Sequence, residues 1–174
     1  MTIIIIIAAI IALPFIIALF LPKEYALERT IVINAPKQTV FDYIKHIKNQ
    51  ENYSKWVMAD PDMKRNLSGT DGTIGFIYAW DGNKKVGAGE QEITGLADGE
   101  RITTQLRFIR PFKNTALTYQ TTQPLSDHST KVAWGMAGKS PYPMNLMTAL
   151  LKGVLNKDLD TSLANLKNIL ENNN

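Results

Sequence analysis

The chain has 174 residues, 45% of them hydrophobic, and a formal net charge of +3 from 19 basic and 16 acidic side chains. That length supports one single-core domain with a small appendage, and so mild and interspersed a charge excludes the basic stripe of a nucleic-acid binder. Cysteine is absent, which excludes disulfides, thiolate catalysis and cysteine-ligated metal.

From Ile3 to Leu21 every residue is apolar. At about 1.5 Å per residue this stretch is roughly 28 Å long as a helix, close to the thickness of a bilayer core. A buried core helix would carry a polar face, and none is present. A cleaved signal peptide needs a basic start and small residues before the cut, whereas the exit reads Leu19-Phe20-Leu21-Pro22. The expectation is a retained single-pass anchor at 1–22, meeting the membrane through residues 3–21, with Pro14 tolerated as a kink. Only Lys23 and Arg29 flank it, both on the C-terminal side, and by the positive-inside rule they favour a cytoplasmic domain.

Residues 23–174 read as one further domain. Leu27, Ile31 and Ile33 share one parity, so Tyr25–Asn34 is a strand. Pro36 opens a helix with Val40, Phe41, Ile44 and Ile47 on its apolar face. A second short helix is expected over Asn49–Met58, with Tyr53, Trp56 and Val57 inward, ended by Asp60-Pro61. Strands follow at 63–67, 73–80, 86–94, 101–110, 115–123 and 130–138. In the second of these Ile74, Phe76, Tyr78 and Trp80 alternate on one face, and in the last Val132, Trp134 and Met136 do so. Short turns between period-2 segments argue an antiparallel meander. After Pro143 the pattern becomes helical to the end, with a kink expected near Gly153 and Asn156. The expected fold class is α+β: a curved antiparallel sheet around a long C-terminal helix.

The stretch Gly82 to Gly89 has glycines at phosphate-loop spacing, but lysine and serine or threonine do not follow the second glycine, and Glu90 and Glu92 would repel phosphate. Gly87 and Gly89 share parity with Gln91 and Ile93, so they read as an inward wall cleared for the long helix or a ligand. Glu90 and Glu92 then face solvent. His46 suits a helix C-terminus, and His128 lies in a polar turn. No metal-ligand spacing appears and no catalytic residue is assigned. Candidate ligand-lining residues are Trp56, Phe76, Tyr78, Trp80, Gly87, Gly89, Gln91, Phe108, Trp134, Met136 and Met147, since aromatic and apolar side chains with a few polar tips suit a small-molecule pocket. Phe112, Tyr142 and Met144 are placed with Met147 near its mouth.

The element order resembles the birch-pollen-allergen-like, START-like (SRPBCC) helix-grip superfamily. More narrowly it resembles bacterial polyketide cyclase/dehydrase-type proteins with an N-terminal membrane segment. The residues that carry the resemblance are Ile31-Val-Ile-Asn-Ala-Pro36, Val40-Phe41-Asp42-Tyr43-Ile44, Gly69-Thr-Asp-Gly72, Trp80 through Glu90, Leu106 through Phe112, Lys131-Val-Ala-Trp134 and Leu163-Ala-Asn-Leu166. The resemblance implies a cup that binds a hydrophobic small molecule or lipid without a cofactor or metal. It also implies an exported domain, against the local charge count, and export is the expectation taken forward. Two alternatives stand beside this one: a membrane-tethered interaction or stress-response domain without ligand, and a cyclase- or hydrolase-type enzyme.

Overall fold

The computed structural model describes residues 2–172, with the side chains of residues 5, 8 and 9 outside that description. Helix α1 (Thr2–Phe20) is followed by strand β1 (Glu24–Ile33), α2 (Lys37–Ile44) and the short α3 (Gln50–Tyr53). Then come β2 (Lys64–Ser68), β3 (Ile77–Asp81), β4 (Ala88–Ala97), β5 (Arg101–Arg110), β6 (Asn114–Ser126), β7 (Ser129–Lys139) and α4 (Asn145–Asn172). The seven strands form one antiparallel sheet in the order β1-β7-β6-β5-β4-β3-β2. The meander from β2 to β7 pairs neighbour with neighbour, and β1 closes onto β7 by the one long connection.

Alternation decides which face is inward. In β5 Ile102, Thr104 and Leu106 are buried, and in β7 Thr130, Val132, Trp134 and Met136 are buried. The C-terminal half of α4 lays Leu159, Leu163, Leu166 and Leu170 on this face, meeting Leu27, Ile33, Val132 and Trp134. Val40, Phe41 and Ile44 of α2 close the same core. A second cluster joins Ile47, Met63, Phe76, Tyr78, Ile93 and Ile102 toward the β2 edge.

Four expectations change. The strand expected at 73–80 begins only at Ile77. Before it the chain turns through Gly72 and Gly75, both at positive φ, and Ile74 is 64% exposed instead of inward. The helix expected over 49–58 breaks after Tyr53, because Ser54 is extended and the Lys55 amide donates to Ser162 Oγ of α4 at 3.0 Å. Gly153 and Asn156, where the sequence suggests a kink or a two-part helix, do not divide α4 in two: one helix runs from Asn145 to Asn172. The fourth concerns the anchor. The part of α1 described with all its side chains runs only from Ile10 to Phe20, and among the described residues no helix is long and apolar enough to cross a membrane. The expected span at residues 3–21 is therefore not established by the fold.

What the fold does establish is how α1 meets the body. Its large described apolar side chains stand clear, Phe20 being 84% exposed, while Ala18 is buried. Asn145 at the start of α4 donates from Nδ2 to the carbonyls of Ala18, at 2.7 Å, and Leu21, at 3.0 Å. These are carbonyls at a helix end that have no intrahelical partner, so one side chain holds the exit of α1 to the domain.

Candidate functional site

The deep half of the cup is solid. Trp134 packs edge-on against Tyr53, with ring centroids 5.7 Å apart, and against Trp56 at 5.9 Å. Phe76 and Tyr78 are buried in the second cluster. The polar groups inside satisfy one another, as buried polar groups must. Gln91 Nε2 donates to Thr104 Oγ1 at 2.9 Å, Thr104 and Thr118 hydroxyls lie 2.6 Å apart, and Gln120 pairs with the Tyr53 hydroxyl at 3.3–3.4 Å. Burial pushes the Tyr53 phenol up. The gap left among Gln50, Gln91, Thr118 and Gln120 has no room for a water molecule.

The mouth is different. Leu106, Ala116 and Met136 form a small buried patch, ringed by half-exposed Tyr25, Trp56, Trp80 and Phe108. Trp80 and Phe108 meet edge to face at 6.1 Å. In the N-terminal half of α4, Met147, Leu150, Leu151 and Val154 are all exposed. At 100° per residue, Leu151, Met147 and Val154 each fall within about 40° of Asp158 around the helix. Asp158 is fixed toward the mouth: its Oδ2 accepts from Trp56 Nε1 at 3.2 Å, and its Oδ1 pairs with Lys55. The exposed apolar flank of α4 therefore continues on the Trp56 side, while Asp160, on the other flank, pairs with Arg29 of β1 at 2.6 Å.

The predicted lining thus divides. Trp56, Trp80, Phe108 and Met136 gather at the mouth, and Met147 lies on the flank of α4 turned the same way. Phe76, Tyr78, Gln91 and Trp134 are buried in the packed interior. Gly87 and Gly89 leave no open room. Gly87 sits at φ +72° with a would-be Cβ 2.3 Å from the Arg110 carbonyl oxygen, at the irregularity between Ala88 and Gly89. A Cβ on Gly89 would lie 2.6 Å from the Arg107 carbonyl oxygen and 2.7 Å from the Trp80 ring. The space cleared at Gly89 is filled by the chain's own indole. Sequence reasoning missed Tyr25, Leu106 and the α4 residues Leu150, Leu151 and Val154. The leucine stripe was the available signal for the last three, but it does not tell covered from uncovered turns. Phe112 and Tyr142 are exposed as a mouth position requires, and Met144 is partly buried.

On the outer face Glu90 and Glu92 point away from the cup. Arg107 bridges them, its Nε 2.5 Å from Glu90 Oε1 and its Nη2 on Glu92. His46 Nδ1 lies 3.0 Å from the Asp42 carbonyl oxygen, and His128 is exposed in its turn. Among the described residues no group of three or more His, Asp or Glu could hold a metal ion. At the far rim, Tyr78 donates to Glu51 Oε1 at 2.9 Å and accepts from Arg65 Nε at 3.1 Å.

Compared with known proteins, the family described as polyketide cyclase/dehydrase and lipid transport matches residues 25–171. No curated protein matches the chain. Among solved structures, a protein of Mesorhizobium loti superposes with TM-score 0.62 at 14% identity, covering 87% of this chain and 98% of its own. A protein of Chromobacterium violaceum gives TM-score 0.59 at 17% identity, covering 86% and 98%. Ara h 8.0201 gives 0.55 at 9% identity, covering 82% and 97%. At such identities these likenesses bear on the fold alone, and the fold they share is the helix grip.

Proposed function

The chain belongs to the polyketide cyclase/dehydrase and lipid-transport family, and from that premise we propose that it is a membrane-anchored domain binding a hydrophobic small molecule or lipid at the mouth of its cup. One observation carries the binding reading. Half-exposed Tyr25, Trp56, Trp80 and Phe108 surround an apolar patch, and an uncovered apolar flank of α4 runs on the same side. Apolar surface left open there is removed from water when an apolar ligand enters, at about 25 cal/mol per Å². Trp and Tyr add polar tips that orient such a ligand.

The anchor reading rests on α1. A helix apolar all round belongs in a core or a bilayer, and none of the described residues of α1 belongs to the core clusters. In this reading residues 1–22 form the anchor and 23–174 the binding domain, held against the membrane because only a few residues separate Phe20 from Glu24. The domain is assigned to the extracytoplasmic side, as a single-pass protein. A C-terminal fusion to a phosphatase active only outside the cytoplasm tests this. Activity is expected, and a silent phosphatase with a bright cytoplasmic fluorescent fusion reverses the orientation.

Binding is tested on the full chain in mild detergent. Extraction and mass spectrometry should recover one apolar molecule per chain, and an apolar fluorescent probe should compete with it. The double variant Leu151→Glu/Val154→Glu places charges on exposed positions of the flank. It should weaken probe binding about tenfold or more while the unfolding midpoint stays put. Unchanged probe binding in that variant removes the mouth from consideration.

The solid deep half supports a second reading, in which the cup is filled by its own side chains and the mouth meets another membrane protein. That reading expects no recovered ligand, no probe binding and a crosslinked partner at Leu151 in native membranes. The enzymatic alternative has no comparable support, since the polar groups inside the cup are bonded to one another.

A further inference from the structure

On the other flank of α4 a cavity of about 300 Å³ opens between the exit of α1, the free edge of β1 and the first turns of α4, sharing Tyr25 with the rim of the mouth. Leu27, Ala149 and Leu155 give it apolar walls as well, and Lys23, Asn145, Thr148 and Lys152 set it apart from the mouth. Among the described residues Lys23 and Lys152 are exposed and form no ion pair, whereas the one carboxylate on the wall, Glu24, is engaged by Lys139 at 2.9 Å. The cavity therefore carries two uncommitted positive charges. Asn145 supplies an independent sign of a missing partner. Both contacts of its Nδ2 go to the carbonyls of Ala18 and Leu21, and its Oδ1 is buried without a hydrogen-bond partner. A buried acceptor left unpaired is unfavourable, so the occupant that suits this wall brings a donor as well as a negative charge.

The geometry points to a binding site for the headgroup of a phospholipid whose phosphate lies between Lys23 and Lys152 and whose headgroup carries a hydroxyl or ammonium donor toward Asn145. The inference rests on the membrane reading of α1, because the cavity lies where that helix ends and where lipid headgroups begin. A phosphate provides acceptors for two ammonium groups and for the Thr148 hydroxyl. Acyl chains would run back along α1. The site meets the apolar mouth at Tyr25 but opens on the Lys152 flank of α4, whereas the mouth lies on the Asp158 flank.

The full chain in nonionic detergent micelles is titrated with dioctanoyl phosphatidylglycerol, dioctanoyl phosphatidylcholine and inorganic phosphate, with bound molecules counted by native mass spectrometry. One phosphatidylglycerol per chain is expected, with phosphatidylcholine, which lacks a donor, held at least tenfold more weakly. Lys23→Ala/Lys152→Ala should lose phosphatidylglycerol affinity about tenfold or more. Lys84→Ala/Lys85→Ala, with the same charge loss in the β3–β4 turn, should retain it. Equal loss in both double variants, or equal retention of the two lipids, overturns the site. Retention of inorganic phosphate without phosphatidylglycerol overturns the lipid assignment. Flotation on pure phosphatidylcholine vesicles reads the anchor alone, and the apolar-probe binding that Leu151→Glu/Val154→Glu removes reads the mouth, so failure of either is distinguishable from failure of the headgroup site.

Discussion

Gly89 and Gly153 show how differently one residue type is used. Gly89 lies under the Trp80 ring and beside the Arg107 carbonyl, with no room for a methyl group, whereas nothing lies within 4 Å of a Cβ on Gly153. Gly89→Ala should therefore destabilise by about 1–3 kcal/mol, because either strand or indole must move. Gly153→Ala, on an exposed helical turn, should stabilise by about 0.5–1 kcal/mol. Urea unfolding of the two variants checks both, and shifts of the same sign would contradict the packing described for Trp80. At the far rim the cause is electrostatic. Burial, then the hydrogen bond to Glu51, pushes the Tyr78 phenol up to about 12 from an ordinary 10.0. A folded-state pKa raised in this way contributes stability that is fully present below about pH 10 and is lost as the pH rises through about 12. Tyr78→Phe should be less stable at neutral pH, and its gap to the wild-type chain should narrow across that window. Unfolding midpoints measured from neutral to strongly alkaline pH would reveal it. A constant gap would mean that the phenol titrates alike in the folded and unfolded chains.

At the scale of elements, α4 is one helix with two kinds of surroundings. Its C-terminal half buries Leu159, Leu163, Leu166 and Leu170, while Leu150, Leu151 and Val154 in the N-terminal half remain exposed. Few buried contacts mean low local stability. Amides of residues 147–155 should exchange at least about tenfold faster than those of 159–170, with ligand narrowing the difference. Uniform protection without ligand would mean that the apolar flank is already covered. The leucine periodicity made α4 legible as a helix, and the period-2 runs did the same for β5 and β7, because both signals are local. The break after Tyr53 was not legible, because Ser162, far along the chain, takes the Lys55 amide. The outward turn of Ile74 was not legible either, since it depends on positive φ at Gly72 and Gly75. Trp80, Phe108 and Met136 could be turned inward from alternation, and Trp56 from helical spacing. Alternation could not separate them from Trp134 and Phe76, because the difference is whether other elements cover them. The cavity at Lys23 and Lys152 draws on three separated segments, and no single-window pattern could reveal it.

For the whole molecule the question is whether α1 belongs to the folding unit or only to its location. Among the described residues the three apolar clusters draw on none of α1, and the family match begins at Tyr25. The Asn145 side chain ties the exit of α1 to the body through the carbonyls of Ala18 and Leu21. A chain beginning at Lys23 should therefore unfold cooperatively with a midpoint within a few degrees of the full chain. Removing α1 frees the Asn145 amide to bond with water, so little of that contact's small net contribution is lost. The same truncation should move the protein from the membrane fraction to the supernatant, since it removes the one helix that is apolar on all sides. Differential scanning calorimetry and membrane sedimentation, run on both chains, test the two halves of the argument separately. A truncated chain that unfolds without a cooperative transition would make α1 part of the core. One that still sediments with membranes would shift the attachment to the uncovered flank of α4 and the mouth beside it.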